Sequence, residues 1–63
     1  MNPLKIIHFI RENKLTKEQF CKMCNISLTT LDNIVYYNNS VDYPTAVRIS
    51  ETMGMGVYEL YAF

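Results

Sequence analysis

Sixty-three residues suffice for one domain, spanning residues 1–63, and are too few for a two-layer α/β enzyme; at this size a single core is only marginally stabilising. A composition of 49% hydrophobic and 13% aromatic residues, with two glycines and two prolines, excludes a disordered tail and suits a compact helical fold. Six basic and six acidic side chains cancel, which excludes a uniformly cationic partner surface, yet residues 1–24 hold five of the bases and residues 25–63 four of the acids.

Helix 1 is expected to begin at Asn2-Pro3, a capping residue followed by proline at the first helical position, and to end around Glu12-Asn13. Its inward face reads as Leu4, Ile7 and Ile10; Ile6 and Phe9 lie off that stripe, either packing beneath helix 5 or forming a second apolar face, with the core reading preferred. Helix 2 opens at Thr16, and Gln19 three residues later completes a capping box. Phe20, Cys21 and Cys24 form its buried stripe, and Asn25 supplies a residue tolerant of the left-handed conformation for a sharp turn.

Ser27 caps helix 3, which runs to about Tyr36 with Leu31, Ile34 and Val35 inward and Leu28, Thr29, Asp32 and Asn33 outward. Asn38-Asn39-Ser40 reads as a loop, and Asp42 with Pro44 starts helix 4, whose Ala46, Val47, Ile49 and Met53 face the core until Gly54 stops it. A last helix from Val57 to about Tyr61, capped by Gly56, presents Val57, Leu60 and Phe63 as apolar positions. It closes the fold and, with the C-terminal apolar residues, is a candidate homodimer surface.

The segment Lys17 to Tyr36 carries the register of a helix-turn-helix: a small residue, Cys21, where two helices cross, Asn25 in the turn, and Phe20, Cys24, Ile26, Leu31 and Ile34 at the locking apolar positions. With Ile10-Arg11-Glu12, Leu15-Thr16-Lys17-Glu18-Gln19-Phe20 and the stretch from Ile49 to Leu60, the chain resembles the lambda-repressor/Cro (XRE-type) DNA-binding domains over nearly its whole length. That resemblance implies an all-α, five-helix lambda-repressor-like domain in which helix 3 enters the major groove of duplex DNA and the start of helix 2 abuts the backbone. It further implies that Leu28, Thr29 and Asn33 read bases, leucine meeting a thymine methyl and asparagine an adenine edge, while Thr16, Lys17, Ser27 and Asn38 contact phosphates. The sequence departs from the family pattern at Asp32 on the outer face of helix 3, at Val35 where a glutamate partner for Arg11 is frequent, and at Tyr37 where glycine is common.

Cys21-x-x-Cys24 reads as two small buried hydrophobes, because a zinc site needs about four ligands and His8 is the one histidine; no metal or cofactor is expected. His8 falls outside the stripe of helix 1 and should be solvated, and no nucleophile has a recognisable base partner, so no enzymatic activity is expected. The five tyrosines fit either half-buried core edges or a stacking surface. No window approaches a membrane span and residues 1–10 lack a signal-cleavage site, which makes the cytoplasm the expected compartment. Two functions follow: a small transcriptional regulator binding DNA as a homodimer, or the same fold used as a protein-interaction module, an antirepressor or adaptor, through its neutral-to-acidic, tyrosine-rich C-terminal half.

Overall fold

The structure, a computed structural model, describes residues 1–62 and is all-α. Among the described residues there are five helices and no strand: α1 (Pro3–Glu12), α2 (Lys17–Cys24), α3 (Leu28–Tyr37), α4 (Tyr43–Met53) and α5 (Val57–Tyr61). No helix among them is long and apolar enough to cross a membrane.

The helix boundaries follow the capping chemistry. Asn2 Oδ1 accepts from the Leu4 amide at 3.1 Å, and Pro3 fixes the first turn of α1 without forfeiting a hydrogen bond. The α2 capping box is complete: Thr16 Oγ1 accepts from Gln19 N at 3.1 Å and Gln19 Oε1 from Thr16 N at 2.8 Å. Ser27 Oγ accepts from Thr30 N at 3.1 Å at the start of α3. Helix α4 starts behind Asp42 as expected, although the Asp42 side chain makes no capping bond, leaving the preset φ of Pro44 as its main local support. Each of the first four helices is closed by a left-handed residue: Lys14 just past α1 (φ 54°), Asn25 (57°), Asn38 (51°) and Gly54 (70°).

The core has Ile6, Phe20, Leu31, Ile34, Ile49 and Leu60, one or more from every helix, with no exposed surface. Cys21, Cys24, Ala46 and Met53 complete it. Phe9 meets Phe20 edge to face with ring centroids 5.8 Å apart, the favoured geometry for two aromatic quadrupoles. Helix α3 packs on α1 and α2, and α4 on α2 and α5. Thr52 Oγ1 donates to Arg48 O at 2.9 Å and lies 3.3 Å from Met23 O, tying α4 to the end of α2. Asn2 clasps the other end of the chain: its amide donates to Leu60 O at 2.9 Å and its Nδ2 to Ala62 O at 3.2 Å, while Lys5 Nζ donates to Glu59 O.

The face of α1 corrects the reading from periodicity. Leu4, expected inward, is 68% exposed, Ile7 and Ile10 are half-buried, and Ile6 is the fully buried residue. Positions 4, 6, 7, 9 and 10 are all apolar, so several overlapping stripes satisfy a 3.6-residue period; the clasp to α5 and the Phe9–Phe20 contact choose the one centred on Ile6. Val35 and Val47, also expected inward, are half-buried, and the apolar role assigned to Phe63 lies outside the described residues.

Candidate functional site

The outer side of α3 is positioned by how α2 turns into it. After Cys24 the chain reverses through Asn25, whose amide donates to Lys22 O at 3.3 Å, and Ile26 N returns to Cys21 O at 3.0 Å. Cys21 sits at the crossing; its Sγ lies 3.7 Å from the Ser27 carbonyl, a spacing a weak thiol donor accommodates and a larger side chain would not. Phe20, Leu31 and Ile34 lock the two helices from below. Burial raises the pKa of both thiols, Cys21 and Cys24, so they remain protonated packing groups.

Residues 28, 29, 32, 33 and 36 form the side of α3 turned away from that lock. Leu28 and Thr29 are exposed beside the turn, and Asn33 is half-buried one helical turn further on. Asn33 lines a hollow of about 290 Å³ with Thr30, Asn39, Val41 and Thr45. Thr16 and Ser27 spend their hydroxyls on capping, Ser27 Oγ also lying 2.8 Å from Thr30 Oγ1, so each would meet a ligand through its exposed edge. Asn38 is exposed in its left-handed conformation at the end of α3. Of the residues named from the sequence, Thr16 and Lys17 stand at the start of α2, Ser27, Leu28 and Thr29 at the start of α3, and Asn33 and Asn38 further along it, Lys17 and Asn33 lining separate hollows.

Sequence reasoning missed a cluster between α2 and α3. Lys17 Nζ donates to the Tyr36 hydroxyl, lies 4.5 Å from the Tyr36 ring centroid and stands 3.6 Å from Asp32 Oδ1, within ion-pair range and just outside hydrogen-bond range. Asp32, expected to face outward, is half-buried, and its Oδ1 has neither solvent nor a hydrogen-bond partner. The phenol, and then the Asp32 carboxylate, hold the Lys17 ammonium above the ordinary lysine range. The signal available in the sequence was the i,i+4 spacing of Asp32 and Tyr36 on α3, which puts both on one side of the helix.

The remaining charges are dispersed. Lys5 is committed to the carbonyl end of α5, His8 lies 2.8 Å from Glu12 on the exposed side of α1, and Arg48 donates to Thr45 Oγ1 at 3.2 Å. Arg11 borders a second hollow, about 300 Å³, with Ile7, Ile10, Lys17, Val35 and Tyr36. Among the described residues no group of three or more His, Cys, Asp and Glu side chains is arranged to hold a metal ion. No family model, no curated protein and no solved structure matches this chain.

Proposed function

We propose that this protein is a binding domain rather than an enzyme, a helix-turn-helix of the lambda-repressor/Cro kind that engages duplex DNA with α3 in the major groove. The observation that carries the reading is the junction of α2 and α3: a small buried residue at the crossing, a left-handed Asn25 in the turn, and an α3 whose first turn leaves Leu28 and Thr29 exposed. On this reading Leu28, Thr29 and Asn33 reach base edges, and Thr16, Lys17, Ser27 and Asn38 face phosphates at the flanks. The protein acts in the cytoplasm without a cofactor, as a homodimer in which α5, with Tyr58 exposed, supplies the contact between copies.

The test is a selection from random duplexes at low salt followed by titration of the recovered site. A preferred sequence is expected; Asn33→Ala should cost about 1–3 kcal/mol on it and relax the preference at one position. Binding with no sequence preference and no dependence on salt would remove the reading.

One observation favours a second use of the same face. Asp32 neutralises Lys17 where a DNA-binding surface needs cations, and the exposed Tyr36 stands in the same cluster, a composition suited to a polypeptide partner. Capture of a protein partner that survives nuclease treatment, lost in Tyr36→Ala and Leu28→Ala, would support the interaction module instead.

A further inference from the structure

Lys17 is the basic side chain at the start of α2, where the proposed complex brings a phosphate, and it is already engaged within the protein. Moving its ammonium onto a phosphate would break the bond to Tyr36 and take away the cation facing Asp32. It would leave an oxygen that has no solvent and no hydrogen-bond partner, on a carboxylate turned toward a polyanion. The exchange therefore gains little, because one ion pair replaces another and a like charge is brought close to the backbone. A phosphate contact of this sort is common to every duplex, whereas the contacts of Leu28, Thr29 and Asn33 depend on sequence.

We infer that Asp32, assisted by Tyr36, is a specificity-determining residue that withholds Lys17 from phosphate, suppressing binding to arbitrary duplex so that base contacts decide occupancy. This rests on the DNA-binding reading. The two residues raise discrimination by lowering the sequence-independent part of the affinity, a repulsive element of the sort that specific binders use alongside attractive ones.

Fluorescence anisotropy with a random duplex and with the selected duplex, across a salt series, tests this in the wild type, Asp32→Asn, Tyr36→Phe, Lys17→Ala and Asp32→Asn/Lys17→Ala, each checked for folding by circular dichroism. Asp32→Asn should bind random duplex about fivefold more tightly, with a salt slope steeper by about 0.9, the value for one further phosphate neutralised. It should gain less on the selected site, and Lys17→Ala should abolish the gain. Tyr36→Phe, which keeps the ring and loses the acceptor, should move in the same direction by less. Salt-dependent binding by the wild type with an unchanged or weakened Asp32→Asn overturns this inference and leaves DNA binding standing. Failure of every variant to bind either duplex overturns both.

Discussion

Among the described residues Lys14, Asn25 and Asn38 are the three side-chain-bearing positions held at positive φ, and they are not equivalent. Asparagine tolerates the left-handed region through local hydrogen bonding, but lysine has no such compensation, so the turn between α1 and α2 carries backbone strain that the turn between α2 and α3 largely avoids. Lys14→Gly should stabilise the fold by about 0.5–1 kcal/mol, the relief of strain outweighing the added entropy of the unfolded chain, whereas Asn25→Gly should be close to neutral. Thermal melts of the two variants check this; equal shifts would show that lysine sits in its turn without strain. The same scale explains the Lys17 cluster. Its three members are separated by fifteen and four positions, and only the crossing of α2 over α3 brings the first to the other two.

At the scale of elements, α1 divides what could be read from what could not. Asp, Asn, Ser, Thr, Pro and Gly at helix ends act on their own backbone, which is why the starts at Asn2, Thr16 and Ser27 and the stop at Gly54 were visible in the chain. The inward side of α1 depends instead on partners distant in sequence, Phe20 in α2 and Leu60 beside Asn2, and a helix apolar at five of its ten positions leaves that choice open. Truncation discriminates the two readings. Ile6→Ala should cost about 2–5 kcal/mol, much of the stability expected of a domain this small, while Leu4→Ala should change it by less than about 0.5 kcal/mol. Denaturant midpoints measure both; comparable losses would restore Leu4 to the core. In the candidate site, the placement of Leu28 and Thr29 was legible because local periodicity governs it, and the half-burial of Asp32 and Asn33 was not, because α2 and the loop after α3 impose it.

For the molecule as a whole, two buried thiols make folding sensitive to alkali. Burial lifts the pKa of Cys21 and Cys24 in the folded state, so above the ordinary thiol value of about 8.5 the unfolded chain sheds protons that the folded chain keeps. The folded state then binds more protons than the unfolded one, and stability falls as pH rises through that value until the folded thiols themselves ionise. Melting temperature should decline between about pH 8 and about pH 9.5, and the slope should flatten in Cys21→Ala/Cys24→Ala even though that variant is less stable. A wild-type profile that stays level across the interval would mean that the thiols are not buried as described.

The clasp between Asn2 and the carbonyls of Leu60 and Ala62 has a practical consequence for anyone building on this scaffold. Polypeptide fused ahead of Asn2 and polypeptide fused behind Ala62 must depart from the same corner, so two reporters attached there sit side by side while the fold holds and separate when it opens. A short tether joining those positions would bridge a gap the fold has already closed, which makes new ends cut into the loop around Asn39 a feasible permutation.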